Sequence, residues 1–522
     1  MSAHGRTAAV IGAGIAGLAV AALLQREGYC VTVFEASQNV GGRAGRWEQD
    51  GFRFDTGPSW YLMPEVFDHF YRLLGTTAHE QVSLTRLDPG YRVYFQGHDD
   101  FVDVAARRDD NVRLFERIEA GAGGRLESYL ASAGQAYRLA TERFLYSTYV
   151  SFRPLATRQT LALAPRLITL LNRSLERFVA ARFTDRRLRQ ILGYPAVFLG
   201  SAPSLTPSLY HLMSHLDLED GVWYPQGGFG EVIDSIARLA DRQGVAVRTG
   251  AEVTEITTGK SEGRARVTGV EYCDASGVHR HVADVVVSAA DLHHTETRLL
   301  PSSLRSYPEQ WWAKRVSGPG AVLVLLGVRG TLPQLAHHSL FFTEDWADNF
   351  GRIFGHPTSV PNPASLYVSR TSATDPDTAP SGHENLFVLV PVPADPTLGG
   401  GGVSGAGDSR IEQIADAAIE QIAAWAGIPD FADRVVVRRT LGPADFERDL
   451  HSWQGGALGP AHTLRQSAFL RGSNASSKVD GLLYAGGSTI PGIGLPMCLI
   501  SAELVIKRLR RDTTAAPLAE PL

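Results

Sequence analysis

Residues 7–35 read TAAVIGAGIAGLAVAALLQREGYCVTVFE. The seventeen residues from Ala8 to Leu24 carry no charge, apolar length enough to suggest a signal peptide or a spanning helix. Two features oppose that reading. No strongly basic leader precedes the run, and its glycines fall at Gly12, Gly14 and Gly17, spaced GxGxxG. They follow an apolar strand predicted over residues 7–11 and open a helix that runs through Leu18, Leu23 and Leu24 to the turn at Arg26-Glu27-Gly28. CVTVFE then predicts a second strand ending in the acidic Glu35. Gly12 permits the tight turn, Gly14 lets backbone approach a pyrophosphate, and Gly17 lets helix and strand pack closely, with the helix N-terminus facing the phosphate charge. Glu35 lies about twenty residues downstream, where a carboxylate accepts hydrogen bonds from a ribose diol. The stretch predicts an α/β dinucleotide-binding unit of Rossmann type. Nothing comparable recurs: Gly121–Gly124 and Gly399–Gly402 lack the helix pattern and read as loops.

The 522 residues leave room for about three domains of ordinary size. Apolar residues at 44% and charged residues at 20% are a globular balance. Fifty basic against fifty-five acidic residues give a net charge of -5, which argues against a nucleic-acid partner. Cys30, Cys273 and Cys498 are scattered and form no CxxC pair, so neither a disulfide framework nor a thiolate zinc site is expected, and a reducing compartment fits. His211 and His215 are four apart but belong to no HExxH motif and read as helix or cavity-wall residues; no metal site is expected. His293 and His294 follow a strand end near a pocket, whereas His337 and His338 read as surface or loop residues.

After Glu35 the chain continues ASQNVGGRAGRWEQDGFRFDTGPSW, in which Gly41, Gly42 and Arg43 form a compact turn with a cationic end. Phe52 and Phe54 alternate as a short strand toward Asp55, Thr56 and Gly57. ExxxxxGGR after a Rossmann unit resembles the flavin-containing amine oxidase and carotenoid desaturase superfamily. The far end agrees: in GLLYAGGSTIPGIGLPMCLISAELVIK (481–507) a strand ends at Gly486-Gly487, a turn with Pro491, Gly492 and Gly494 follows, and an apolar helix starts near Leu495. A helix N-terminus there suits negative charge on an electron-rich ring. The form GGSTxPGxGxP, with DTGPSWYLMPEVF and GVWYPQGGFG, is similar to the bacterial phytoene desaturases of the CrtI type, over nearly the whole chain. The resemblance implies FAD, with Glu35 at the adenosine ribose, Arg43 near the pyrophosphate and flavin side, Asp55 and Gly57 at the flavin-binding turn, backbone at Val253 toward adenine, and the C-terminal loop supporting the flavin. Asp55 reads as a structural or cofactor contact, Cys498 as a small buried side chain, and no catalytic side chain is assigned.

An FAD site built from both ends predicts a discontinuous nucleotide domain, 1–84, 221–299 and 476–522. Residues 221–256 supply a glycine turn, an amphipathic helix and two strands, and the stretch from Val267 to Ala290 a hairpin and a further strand. A substrate domain with a mixed sheet takes 85–220 and 300–475, where 321–328 and 386–393 read as core strands. Within it, 141–183 carries arginines at 153, 158, 166, 173, 177 and 182 beside Leu163, Leu167, Ile168, Leu170 and Leu171. Pro165 interrupts an ideal helix. The pieces suit a helical, membrane-facing cap, with arginines at headgroups and leucines toward hydrocarbon; the competing reading is a cap packed on the domain with its arginines in water.

The family likeness implies an extended hydrophobic carotenoid, phytoene or a related polyene, lying against FAD and losing two electrons to form a conjugated double bond, with oxygen or a membrane quinone as acceptor. It places the protein in the cytoplasm, peripherally on the inner face of the cell membrane. A carotenoid cis-trans isomerase, an oxygenase or ketolase, and a C30 rather than C40 desaturase keep the same cofactor motifs; a non-catalytic prenyl-lipid escort is the rival of a different class. Amine oxidation needs an aromatic cage that Trp60 and Tyr61 alone do not make. Oligomeric state is left open.

Overall fold

The computed structural model describes residues 5–155, 158–261 and 263–522, and of 158–164 the backbone only. Three distant stretches of chain share one five-stranded parallel sheet, ordered Leu482–Tyr484, Val285–Ser288, Thr7–Ile11, Cys30–Phe34 and Ala246–Arg248. The central strand comes from the N-terminal stretch, and helix Ile15–Arg26 leaves it directly. Val20, Leu18, Leu23 and Leu24 of that helix are fully buried, each adding roughly 1.5–3 kcal/mol. Its neighbours are the C-terminal helix Leu495–Arg510 and helix Phe229–Arg242. A helix buried nearly all round reads in sequence like a membrane span; here the surrounding apolar medium is protein.

A second sheet has seven strands in the order Val435–Leu441, Gly320–Arg329, His383–Val392, Leu366–Ser369, His338–Phe342, Tyr91–Phe95 and Phe101–Val104. It is antiparallel except where His338–Phe342 runs parallel to Tyr91–Phe95. Two of its interior strands, Gly320–Arg329 and His383–Val392, are buried on both faces and so read as continuous apolar runs. Val322, Val324 and Leu326 face helix Ser409–Ala426; Leu323, Leu325, Leu340 and Phe387 face the opposite way, into a core shared with the helices of residues 122–198.

Three expectations change. Gly121–Gly124 is not a loop: it opens the 22-residue helix Ala122–Arg143. The Glu116 carboxylate accepts hydrogen bonds from Gly121 N and Gly123 N at 2.8 and 2.9 Å, so a cap from the preceding helix supplies what local propensity does not. Pro165 does not interrupt its helix, which runs Arg158–Asn172. Within the membrane-facing stripe expected from the sequence, Leu170 is 6% exposed, packed in the second core, while Ile168 is 60% exposed; Leu163 lies outside the residues whose side chains are described. Arg166 binds Gln135 and Ser132 of the neighbouring helix, at 2.6 and 2.8 Å. Among the described residues no helix is long and apolar enough to cross a membrane.

Candidate functional site

The parallel sheet brings three loops to one edge. Gly12 N donates to Phe34 O (2.7 Å), Ala289 N to Ile11 O (2.8 Å) and Ala485 N to Ser288 O (2.9 Å), so each loop starts from the backbone of its neighbour. A Cβ on Gly17 would stand 1.8 Å from Gly12 O, and one on Gly57 1.9 Å from Arg43 O; both positions exclude any side chain. Gly14 differs. A Cβ there would meet nothing nearer than Gly41 O at 3.8 Å, so its missing side chain opens a cradle at the N-terminus of helix Ile15–Arg26. Gly41 N donates to Ala13 O at 2.9 Å, and a Cβ on Gly42 would come within 3.3 Å of Gly14 Cα, which brings the two glycine turns side by side. Glu35 lies at the end of the second strand with Oε2 accepting from Ala13 N (2.6 Å) and Oε1 from Ser37 N (2.9 Å). These bonds fix the carboxylate beside the cradle and leave lone pairs on both oxygens for a diol. Val253 is buried in strand Glu252–Ser261, in the same core as Phe34.

The C-terminal loop closes the other side. A Cβ on Gly486 would stand 3.6 Å from Ala16 Cβ, so the loop passes close over the first helix. Gly487 is half-buried, Pro491 and Gly492 are buried, and Gly494 at φ +115° begins helix Leu495–Arg510. Two residues with no motif hold this loop. Arg471, 5% exposed, donates to Thr489 O (3.2 Å), Gly487 O (2.5 Å), Pro460 O (3.0 Å) and Gln466 O (3.2 Å). Burial lowers its pKa to about 10, still protonated near neutral pH. His462 accepts from Ile493 N on Nε2 (3.1 Å) and meets Tyr210 Oη with Nδ1 (2.8 Å); burial holds the ring neutral, and a Cβ on Gly492 would enter it at 2.3 Å. Their sequence signal was nil, because the partners are backbone carbonyls and amides brought together by the fold. Arg43 donates Nε to Ala457 O (3.1 Å) and Nη2 to Ser452 Oγ. Cys498 is half-buried and its thiol is pushed up to about 11 by burial, which disfavours the thiolate.

Asp55 caps a helix. Its Oδ2 accepts from Phe229 N (2.7 Å) and its Oδ1 from Gly230 N (3.1 Å), at the start of helix Phe229–Arg242. Burial pushes the carboxyl up to about 6 against those two amides and the nearby Arg46 and Arg53. Asp55, Gly57 and Ser59 line a small cavity with Ser369, Thr371, Asn385 and Phe387 from the seven-stranded sheet and its approaches and Tyr224 from the short strand Trp223–Pro225. Trp60 and Tyr61 point into different cores and form no cage: Trp60 packs with Tyr91, Phe198 and His338, while Tyr61 stacks on Phe67.

The histidines divide. His211 is buried with Nε2 2.8 Å from Ser132 Oγ and Nδ1 2.8 Å from Ser208 O; His215 pairs with Glu219 at 2.5 Å. His294 stacks on His451 at 3.9 Å. His337 and His338 are not surface residues: they are 5% and 0% exposed, because His338 begins a central strand of the second sheet. Burial drives the His337 pKa down to about 3 and holds that of His338 well below the ordinary imidazole range. Among the described residues no group of three or more His, Cys, Asp or Glu is arranged to hold a metal ion.

Residues 15–506 match the family described as flavin containing amine oxidoreductase. The carotenoid 3,4-desaturase of Haloarcula japonica is 40% identical over 97% of this chain and 99% of its own. The zeta-carotene-forming phytoene desaturase of Myxococcus xanthus is 33% identical over 97% and 94%. The 4,4'-diapophytoene desaturase of Staphylococcus aureus is 29% identical over 97% and 98%. Among solved structures, an oxidoreductase from Methanosarcina mazei superimposes with a TM-score of 0.60 over 96% of this chain and 100% of its own at 16% identity. Putrescine oxidase bound to putrescine gives 0.58 over 97% and 98% at 14%. These two likenesses establish the fold alone.

Proposed function

From the premise that this chain belongs to the flavin-containing amine oxidoreductase family and is related to the bacterial carotenoid desaturases, we propose that it is an FAD-dependent desaturase of acyclic carotenoid polyenes, phytoene or a related chain. The observation that carries this reading is the match to carotenoid desaturases over nearly the whole chain, supported by an apolar and aromatic sheet face, Tyr91, Leu323, Leu325, Phe342, Tyr367 and Phe387, that is buried toward the helices of residues 122–198.

The residues present fit FAD. Gly14 and Gly42 leave backbone open to a pyrophosphate, Glu35 would hold the ribose through its fixed carboxylate, and the N-terminus of helix Leu495–Arg510 would support the ring, with Arg471 bonded to the loop that precedes it. When bound, FAD accepts a hydride from one of two adjacent saturated carbons. The neighbouring carbon loses its proton, two C–H bonds break, and one C=C bond forms. The protein orients the chain and excludes water; the allylic cation left by hydride loss is acidic enough that a strong base is unnecessary. Oxygen or a membrane quinone takes up the two electrons.

The reading includes peripheral contact with the inner face of the cell membrane. Tyr149, Phe152 and Phe469 form an aromatic cluster from two distant segments, with Phe152 and Phe469 55% and 57% exposed and Val150 and Leu470 beside them. Arg153 and Arg465 flank the cluster in sequence and are exposed, placed for lipid phosphates. Lys507 and Arg508, at the far end of the C-terminal helix, hold Tyr146 O and Thr148 O at 2.9 and 2.6 Å and so fix its base. Replacing Phe152 and Phe469 together by Ser is expected to reduce sedimentation with liposomes severalfold; unchanged sedimentation removes this surface from the reading.

The deciding experiment is anaerobic incubation of FAD-loaded protein with phytoene in liposomes, followed by the flavin spectrum and pigment chromatography. Flavin bleaching coupled to longer conjugation supports a desaturase. Flavin that stays oxidised with phytoene, C30 and partly desaturated chains alike overturns it.

A further inference from the structure

Residues 511–522 follow the last helix and fold back as a strap over helices Pro64–Leu73 and Leu495–Arg510. Ala515 and Leu518 are 6% and 8% exposed, and Leu522 N donates to Leu73 O at 3.0 Å. The strap is fastened by charged groups that neither the cofactor nor the substrate uses. Lys507, its side chain fully buried, donates Nζ to Thr514 O (2.9 Å), Thr514 Oγ1 (3.2 Å) and Ala516 O (2.6 Å) of the strap, and to Tyr146 O (2.9 Å). Glu503, also buried, accepts from Leu518 N on Oε1 at 2.6 Å. Its Oε2 lies 2.9 Å from His69 Nε2, and the other ring nitrogen, Nδ1, meets Glu520 Oε1 of the strap.

Both nitrogens of one imidazole therefore face carboxylate oxygens. A neutral ring has one N–H, and its other nitrogen carries a lone pair. Only the imidazolium donates to Glu503 and Glu520 at once; in the neutral ring one of the two contacts sets a lone pair against a carboxylate. The neighbouring charges are otherwise engaged. On the helix of His69, Glu65 accepts from the Tyr137 hydroxyl, and Arg72 lies 2.7 Å from Asp68 and 3.8 Å from Glu520. Lys507 on the last helix is 3.8 Å from Asp512. The Tyr146 ring meets the imidazole edge-on at 5.7 Å. Burial lowers the His69 pKa, but the bonds to Glu503 and Glu520 together outweigh it and hold the value above its ordinary level.

We propose that His69 is the pin of a pH-operated latch: protonated, it ties the strap to the last helix through Glu520 and Glu503, and on losing its proton it lets residues 511–522 lift. Opening takes Thr514 and Ala516 away from Lys507 and leaves that cation with Tyr146 O and the more distant Asp512. Tyr146 leads into Tyr149 of the exposed aromatic cluster, so the strap also clamps the base of that surface. The raised folded-state pKa makes the latch complete below about pH 6.5 and undoes it as the pH rises through that higher value. The device is independent of what the flavin site oxidises.

The test is hydrogen–deuterium exchange of the FAD-loaded protein, each rate divided by the intrinsic rate at the same pH. Between about pH 6 and about pH 9, protection of residues 512–522 is expected to fall about tenfold or more, the factor carried by one unit of pKa shift. Protection of residues 144–149 is expected to fall with it. In Glu520→Gln the side-chain amide donates to a neutral ring, so the strap stays protected across the range. In His69→Gln the profile is flat. Glu520 is an exposed residue, so its variant decides the matter even if His69→Gln fails to fold. Equal protection across the range in the unaltered protein overturns the latch, and so does the same fall in either variant, which assigns it to Lys507. A strap that lifts while residues 144–149 keep their protection overturns the clamp on the aromatic surface.

Discussion

The glycine-lined edge and a polar corner of the seven-stranded sheet lie on either side of the Gly57–Trp60 segment and are built on opposite principles. The edge is made of backbone. Gly17 and Gly57 have a carbonyl oxygen where a Cβ would go, and even Glu35 serves it by bonding two backbone amides. The corner is made of side chains: His338, Ser369 and Tyr367 come from paired strands, and Trp60 from the segment after Gly57. A side chain added at those two glycines of the first region overlaps backbone, whereas a change in the second alters contacts between side chains. Those positions of the edge exclude a side chain outright, whereas the corner depends on which side chains occupy it.

The contrast is broken most directly at Gly17. Gly17→Ala forces helix and turn apart around the 1.8 Å overlap with Gly12 O; it is expected to cost roughly 1–3 kcal/mol or more and to abolish FAD retention, read by thermal unfolding and flavin absorbance. A variant that keeps its flavin and its Tm would show that the turn is not backbone-limited.

Arg471→Met tests whether a side chain can matter to the edge as much as the glycines do. It leaves Thr489 O, Gly487 O, Pro460 O and Gln466 O without their donor, a loss on the order of 3 kcal/mol, with weakened flavin binding because the loop loses its anchor. Unaltered stability in chemical denaturation would mean that water replaces the guanidinium.

Glu35→Ala removes the acceptor of Ala13 N and Ser37 N together with the ribose contact. FAD affinity measured by equilibrium dialysis is expected to fall about 10–100-fold, as for loss of a charged hydrogen bond; an unchanged Kd would remove Glu35 from the site.

The smallest effect is a slope. The Asp55 carboxyl has a folded-state pKa of about 6 against 3.8 for the free group, so the folded protein holds this proton more tightly than the unfolded chain. Its contribution to stability is therefore full below pH ~4, is lost as pH rises to about 6, and is constant above. Asp55→Asn, which keeps an oxygen to accept from the helix start, is expected to flatten that part of the pH–stability curve with little change in FAD affinity. A slope that persists in the variant assigns it to another group.

What the sequence made legible follows the same division. GxGxxG and the two apolar runs around it fix strand Thr7–Ile11, helix Ile15–Arg26 and strand Cys30–Phe34, because tight turns and short-range periodicity are local properties. Phe52 and Phe54, the hairpin turn at Asp274–Gly277 and the start of the last helix at Leu495 were readable for the same reason. The helix at Ala122 was not, since its cap is the side chain of Glu116 from the preceding helix. Nor was the burial of His338. A pair of adjacent histidines has a polar composition, and nothing within a few residues announces that a central strand will begin there.

By itself the sequence determined the first strand, helix and strand around GxGxxG and carried the family resemblance, which in turn implied that both chain ends join in one α/β domain, because glycine spacing and apolar period act through neighbouring peptide units. Only the tertiary structure decided that Arg471 and His462 hold the C-terminal loop, that Asp55 caps a helix, and that Trp60, His338, Tyr367 and Ser369 meet in a single corner. Those residues come together through strand register and packing between segments from a few to hundreds of positions apart, and a contact of that kind leaves no periodic mark on the chain that makes it.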